Sequence, residues 1–181
     1  MTTIIIALAA AALVLLVAYW AIATSNRFKV MLIKIGEAGS GIDVALTKRY
    51  DTLTKMLEVT KGYAKFEGGV LTEVISLRSG MSMSEKNEVS RKMDDIMGKI
   101  NVLVENYPNL QASDSFLRLK RAISDSEQHL QAARRAYNMN VSMYNQAIVV
   151  FPNSIVAGKT HTAQEFFVAD EEKRGDVKMV F

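Results

Sequence analysis

The sequence has no cysteine and only two prolines among its 181 residues. The absence of cysteine excludes disulfide bonds, thiolate metal sites and a cysteine nucleophile. Pro108 and Pro152 each predict a helix boundary, because proline disfavours the helical conformation of the residue before it. Long stretches without helix breakers, together with ten methionines, therefore predict an all-helical protein.

Signatures of catalysis and of nucleic-acid binding are also lacking. The two histidines, His129 and His161, lie outside any H-x3-H or HExxH spacing, which argues against a zinc site. Residues 157–160 end in Gly-Lys-Thr but lack the first glycine of a phosphate-binding loop. The net charge is +3, with basic and acidic residues interspersed, so no nucleic-acid surface is indicated. We predict no catalytic residue, no metal, no cofactor and no enzymatic activity.

One long apolar run stands at the start of the chain. Residues 4–23 contain no charged residue, proline or glycine, and about 20 helical residues cross the hydrocarbon core of a bilayer. Residues 21–23 resemble a signal-peptide cleavage site, which leaves a cleaved signal peptide as the alternative. The run is longer than a usual signal-peptide core, and no Lys or Arg precedes it. We therefore predict a retained single-pass transmembrane anchor at residues 1–25.

The residues that flank and line the apolar run predict its orientation and a packing face. Arg27, Lys29 and Lys34 follow the run closely, and basic residues favour the cytoplasmic side of a membrane. We predict the N-terminus outside and the following domain in the cytoplasm. Small residues at roughly helical spacing form a candidate face on which two such helices could pack, or belong to an Ala-rich span without a partner: Ala7, Ala11, Ala18 and Ala21.

Residues 26–151 carry helical patterns that divide into three arms, each of about 40 residues and about 60 Å long as a helix. Apolar residues recur at steps of three, four or seven in each arm, as they do in coiled coils. Ser82 and Glu85 fit a capping box within the second arm, and Ser113 fits an N-cap that opens the third. Three glycines in residues 36–41 predict a weak point or bend in the first arm.

These patterns predict an all-α fold: the N-terminal transmembrane helix is followed by an antiparallel up-and-down bundle of three long arms, the middle arm broken. The result is a three- to four-helix bundle. In the favoured three-arm form, Ile148 lies at the far end of the bundle, about 60 Å from the bilayer. In the four-helix form, the chain reverses at Gly80 and Phe151 returns toward the membrane. Residues 152–181 form a C-terminal loop, a short helix at 164–173 and a tail.

Several short motifs resemble the LemA family of bacterial membrane proteins and follow the family's order over nearly the whole chain. They are Ile42-Asp43-Val44, Lys48-Arg49-Tyr50-Asp51, Lys61-Gly62-Tyr63-Ala64-Lys65, Glu105-Asn106-Tyr107-Pro108, Ala133-Arg134, Tyr137-Asn138, Tyr144-Asn145, Phe151-Pro152-Asn153-Ser154 and Gln164-Glu165-Phe166-Phe167. Thr54 and Phe66 depart from the family pattern, which usually has proline and often histidine there. The resemblance implies a helical bundle on a single span of the bacterial cytoplasmic (inner) membrane, and no enzyme. Some relatives are linked to magnetosome membrane formation, which implies membrane organisation.

A polar stripe borders the apolar seam of the third arm and could face polar residues of the first arm. The candidate members of this network are Asp43, Arg49, Asp51, Glu127, Arg134, Asn138 and Asn145. A partly buried network would fix the register of the helices. The alternative is a solvated face, whose pairs contribute below about 1 kcal/mol each.

Taken together, these features predict a membrane-anchored, non-enzymatic structural or scaffold protein that self-associates and organises the membrane. Its partners would be membrane lipids and further copies of the chain, as a homo-oligomer. The alternative is a membrane-bound adaptor or regulator that binds another membrane protein through its C-terminal tail or its bundle surface. The candidate docking residues of the tail are Phe166, Phe167 and Phe181.

Overall fold

The structure, a computed structural model, describes residues 1–62, 80–158 and 160–167. Five α-helices and no strand occur in this part of the chain: α1 (Thr2–Lys61), α2 (Met83–Glu105), α3 (Pro108–Gln111), α4 (Asp114–Val149) and α5 (Asn153–Ala157). The prediction of an all-helical protein with a long apolar N-terminal helix is confirmed.

The first helix, α1, is continuous over 60 residues and therefore about 90 Å long. The large aliphatic side chains of residues 4–22 are more than half exposed, Trp20 is half-buried, and full burial begins at Thr24. Within the described chain, α1 alone is long and apolar enough to cross a membrane. The helix runs through residues 36–41 without interruption. A Cβ atom at Gly39 would lie 3.9 Å from the Tyr137 ring, so α4 approaches α1 closely at this point.

Local signals in the sequence determine where α2 and α4 begin. Gly80 has φ +83°, a left-handed conformation that favours glycine. The Ser82 hydroxyl accepts a hydrogen bond from the Glu85 amide at 3.2 Å, and the Glu85 carboxylate accepts one from the Ser82 amide at 2.6 Å. Ser113 caps α4 in the same way by accepting from the Phe116 amide at 3.3 Å. The predicted capping box and N-cap are therefore confirmed.

Contacts along α1 and α4 show that these two helices are antiparallel. Phe28 of α1 packs edge-on against Tyr144 of α4, with ring centroids 6.4 Å apart. Arg49, which lies 21 residues further from the apolar segment, bonds Glu127 of α4. The core between the helices contains aromatic and aliphatic side chains along its whole length, including Phe28, Ile42, Leu46, Met56, Leu130, Val141 and Tyr144. The C-terminal end of α4 therefore lies beside the apolar segment.

The second helix, α2, runs in the same direction as α1. Lys86 pairs with Asp43 and, further along both helices, Asp94 pairs with Arg49. The predicted three-arm form is wrong, because it requires α2 to run back toward the membrane and Ile148 to lie far from it. Ile148 instead lies at the anchor end, one turn beyond Tyr144. Residues 63–79, between α1 and α2, lie outside the described residues, so the four-helix form stays a prediction.

Candidate functional site

A buried arginine joins three helices in the middle of the bundle. Arg49 of α1 is only 3% exposed. Its guanidinium donates to Asp94 of α2 at 2.5 Å and to Glu127 of α4 at 3.0 Å. The same group donates to the Ser90 hydroxyl at 3.4 Å, which also accepts from Arg134 at 2.6 Å. Charge-assisted hydrogen bonds of this kind fix side-chain geometry as well as charge balance. The cluster therefore ties α1, α2 and α4 together at one level.

Three polar residues of α2 bind predicted members of the network, although none of the three was predicted from the sequence. Lys86, Ser90 and Asp94 recur at steps of four and so share one face of the helix. These three residues of α2 lie beside Val89 and Met93, which belong to the apolar seam. The signal was therefore present in the sequence, as a polar periodicity of four residues beside the apolar one.

The predicted acidic members of α1 lie apart from α4. The Asp43 carboxylate binds the Lys86 ammonium at 2.7 and 2.8 Å, so it pairs with α2. Lys86 is 8% exposed, and this pair satisfies a buried charge. Asp51 is exposed on α1. Of the predicted pairings between α1 and the polar stripe of α4, the structure brings together Arg49 and Glu127.

Two asparagines of α4 hold the chain that follows α5. The Asn145 amide group donates to the Gln164 carbonyl at 2.9 Å and accepts from the Gln164 amide at 2.8 Å. Asn138 makes the same pair of bonds with the backbone of Phe167, both at 2.8 Å. We call Asn138, Asn145 and the backbone they hold the amide clamp. Both asparagines were predicted for a network between helices, whereas they bind a non-helical segment.

The spacing of the amide clamp explains the conformation of residues 164–167. The two asparagines are seven helical residues apart, a rise of about 10.5 Å. Their partners are three residues apart, and three residues span at most about 11 Å when fully extended. The segment must therefore be extended and antiparallel to α4. The short helix predicted at residues 164–173 is wrong in its described part, because both amide groups bond extended backbone; residues 168–173 lie outside the described residues.

The clamped segment buries one of the predicted docking residues. Phe167 is 2% exposed, and the Arg134 guanidinium lies 4.4 Å from the centroid of its ring. This distance is that of a cation–π contact. Phe166 next to it is 45% exposed, and Phe181 lies outside the described residues. As the structure shows it, Phe167 docks onto its own bundle and is not available to a partner.

Two tyrosines complete the contacts with this segment near the anchor. The Tyr137 hydroxyl donates to the Glu165 carbonyl at 3.1 Å, and the Tyr144 hydroxyl lies 3.2 Å from His161 Nδ1. Burial raises the pKa of both phenols, and the nearby Glu165 carboxylate raises that of Tyr137 further. Both phenols therefore remain protonated at neutral pH and can act as donors. The His161 ring also packs on Phe28, with centroids 4.9 Å apart.

A cleft of about 830 Å³ opens beside the arginine cluster. Charged and polar residues from all three long helices line it: Arg49, Asp94, Ser124, Asp125, Glu127, Gln128, His129, Leu130, Gln131, Arg134 and Arg135. In the part of the chain that the structure describes, no group of three His, Asp or Glu side chains is placed to hold a metal ion. The arrangement suits ion pairing between helices.

The candidate packing face of the apolar segment is open. Ala7, Ala11 and Ala18 are exposed, and Ala21 is half-buried. In the single chain, the described helices α2 to α5 do not cover the first part of α1, where none of the apolar window is buried. The face remains a candidate contact for a second transmembrane helix.

Comparison with known proteins gives one family and two relatives. The sequence pattern of the LemA family matches residues 38–181. The chain is 33% identical over 150 residues to Protein LemA of Metamycoplasma hominis, a match that covers 80% of this chain and 68% of that protein. It is 27% identical over 85 residues to the magnetosome protein MamQ of Magnetospirillum gryphiswaldense, covering 46% of this chain and 30% of MamQ. The chain therefore belongs to the LemA family.

Proposed function

We propose that this protein is a membrane-anchored, non-enzymatic structural protein whose copies associate side by side along the outer face of α1. The observation that carries the proposal is a strip of α1, on the part that follows the anchor, where three large apolar side chains are exposed. Val30, Ile33 and Val44 are 52%, 61% and 71% exposed. They lie on the face opposite the core residues Phe28 and Ile35. Partners along such a strip would bury the side chains that α4 leaves uncovered.

The length of α1 supports a structural role. Because the apolar segment and the bundle share one uninterrupted helix, a contact between two anchors would be transmitted directly into two bundles. The small-residue face with Ala11 and Ala18 allows such anchors to approach each other. Self-association would then array the bundles on one side of the membrane.

The location and orientation follow from the same helix and its flanks. Membrane anchoring is indicated by the exposed apolar segment. We propose the cytoplasmic membrane, with the N-terminus outside and the bundle in the cytoplasm, because Arg27, Lys29 and Lys34 follow the segment. A role in organising the membrane is supported by the similarity to MamQ, whose name describes a magnetosome protein.

Cysteine crosslinking in native membranes tests self-association. The chain has no cysteine, so Ile33→Cys introduces a single thiol on the proposed strip. We expect oxidation to trap a dimer through Ile33→Cys. Val102→Cys on α2, where the native side chain is 65% exposed, is the matched control and should stay monomeric.

Two other outcomes of the crosslinking experiment would contradict the proposal in part or as a whole. A dimer formed through Ala11→Cys alone would assign the contact to the anchors and would contradict the strip on α1. Monomer at both positions at natural abundance would contradict self-association itself.

The alternative function is an adaptor that binds another membrane protein. The observation that favours it is the charged cleft, in which Arg135 and Asp125 are exposed to a partner on the bundle surface. Deletion of residues 169–181 tests the tail, and Arg135→Glu tests the cleft. Loss of a copurifying membrane protein from either variant, with crosslinking at Ile33→Cys absent, would support the adaptor.

A further inference from the structure

The turn between α4 and the clamped segment forms the tip of the bundle on the anchor side. α4 runs toward the apolar segment and ends at Val149. Residues 160–167 then run back along α4, as the bonds of the amide clamp show. Residues 149–158 are therefore the part of the bundle nearest the anchor. Tyr144 lies against Phe28, and five further helical residues place the tip level with about residues 20–24 of α1.

The tip exposes large apolar side chains although its framework is buried. Val149, Val150, Phe151 and Ile155 are 70%, 56%, 76% and 67% exposed. In contrast, Ile148 and Ala157 on either side are buried, and α5 packs against α1. The four side chains are thus held outward by a fixed turn. Exposed apolar patches on a well-packed framework mark interaction sites.

The charged residues of α1 beside the tip are all basic. The sequence contains no Asp or Glu in residues 1–36 or 137–164. The cationic side chains of Arg27, Lys29 and Lys34 are exposed on α1, within about 17 Å of the end of the apolar segment. An apolar patch flanked by cations and free of carboxylates is complementary to anionic lipid headgroups above acyl chains.

We propose that this tip is a second membrane contact. Val149, Val150, Phe151 and Ile155 enter the boundary between headgroups and acyl chains of an anionic bilayer, beside the anchor helix. The bilayer is the occupant because the tip lies at the level where the apolar segment of α1 ends, so lipid covers both. Two attachments, the anchor and the tip, would hold the bundle at a fixed tilt to the membrane. The inference rests on anchoring by α1, which the experiment below reports separately.

Tryptophan fluorescence of the full chain in vesicles of anionic lipid tests the contact. Trp20 is the only tryptophan, so Phe151→Trp in a Trp20→Phe background places one fluorophore at the tip. We expect its emission to be shifted to the blue and to lose about half its intensity when lipids brominated near the headgroups replace ordinary ones, as for side chains about 5–10 Å deep. Val102→Trp in the same background is the matched exposed control, and its emission should not change.

Each other result has a definite meaning. Emission of Phe151→Trp that matches the control would overturn the membrane contact. A blue shift without quenching by brominated lipid would also overturn it, since a second copy of the chain would then cover the tip. Native Trp20 reports the anchor in the unsubstituted protein. Quenching of Trp20 without quenching at position 151 would leave the anchor intact and reject the tip alone, whereas no quenching of Trp20 would reject anchoring.

Discussion

The two halves of the bundle satisfy their buried polar groups through different kinds of contact. In the half near the anchor, amide, phenol and imidazole groups make the described contacts, through Asn138, Asn145, Tyr137 and Tyr144. In the half away from the anchor, the described contacts are ion pairs, which Arg49 makes with Asp94 and Glu127, and Lys86 makes with Asp43.

The difference follows the distance from the apolar segment. Carboxylates begin at Glu37 on α1 and are absent from residues 137–164, so the end of α4 near the anchor and the turn that follows it contain no acid for an ion pair. Uncharged amides can satisfy buried backbone without bringing a negative charge close to lipid phosphates. In the half away from the anchor, pairs of opposite charges can determine how the three long helices pack together, although removing these charges from water costs free energy.

The two turns that flank α4, both among the described residues, show the same contrast. The turn at the far end, between α2 and α4, buries Leu110 completely and carries Glu105 and Asp114 on its surface. The turn at the anchor end exposes Phe151 and lacks any acid. Both turns contain a proline, so the difference lies in what surrounds each turn and not in how the chain reverses.

Removal of the arginine should give the largest effect on stability. We expect Arg49→Ala to lower the free energy of unfolding by about 3 kcal/mol, because it leaves two carboxylates without their common cation. The value is at the low end for buried pairs, because the side chains of Asp94 and Glu127 are 32% and 46% exposed. Urea unfolding of the full chain in detergent measures the change.

The control for this variant is a surface pair on α2. Lys92 binds Glu88 at 2.8 Å, and both side chains are more than half exposed. Lys92→Ala should change stability by less than about 0.5 kcal/mol. Equal effects of the two substitutions would show that the arginine cluster is no more than a solvated face.

Removal of one clamp residue should have a smaller effect, confined to the anchor half. Asn138→Ala deletes both hydrogen bonds to the Phe167 backbone, and we expect a loss of about 1–2 kcal/mol. Hydrogen exchange of the Phe167 amide should become faster, while exchange in α2 stays unchanged. Asn140→Ala is the matched control, since Asn140 makes a single long contact of 3.5 Å to the Lys34 carbonyl. Unaltered exchange at Phe167 in Asn138→Ala would show that Arg134 and packing hold the segment without the amide.

Sequence periodicity was sufficient for the three long helices but not for their directions. The capping box at Ser82 and the N-cap at Ser113 depend on neighbours within four residues, so the sequence contains all their determinants. The direction of α2 relative to α1 depends on which long-range pairs form, and Asp43 has a basic partner only when Lys86 of α2 lies beside it. Equal arm lengths could not distinguish between these arrangements.

Of the charged contacts in the candidate site, the sequence predicted the one between Arg49 and Glu127 and missed those of Lys86 and Asp94. Arg49 and Glu127 stand in polar positions beside apolar seams, and opposite charges restrict the choice of partner. Asn138 and Asn145 carried no such information, because an amide can bond a side chain, a helix or an extended backbone equally well. Their spacing of seven residues fits both a helical seam and three residues of extended chain, and the second match became visible only in the structure.

The smallest expected effect is the loss of stability at alkaline pH that is caused by Tyr137, in the half of the bundle near the anchor. The ordinary pKa of a tyrosine is 10.0, and burial raises that of Tyr137 in the folded protein. Above pH 10 the unfolded chain releases the phenolic proton of Tyr137, whereas the folded protein retains it. The contribution of Tyr137 to stability is therefore fully present below pH 10 and is lost as the pH rises further. Tyr137→Phe cannot ionise and should lose less stability between about pH 9 and pH 11. Unfolding midpoints of both proteins at the two pH values measure this difference, and deprotonation of lysines cancels because it is common to both. Identical slopes would mean that Tyr137 is as accessible to hydroxide in the folded as in the unfolded chain, and the anchor half would then be less dry than its contacts indicate.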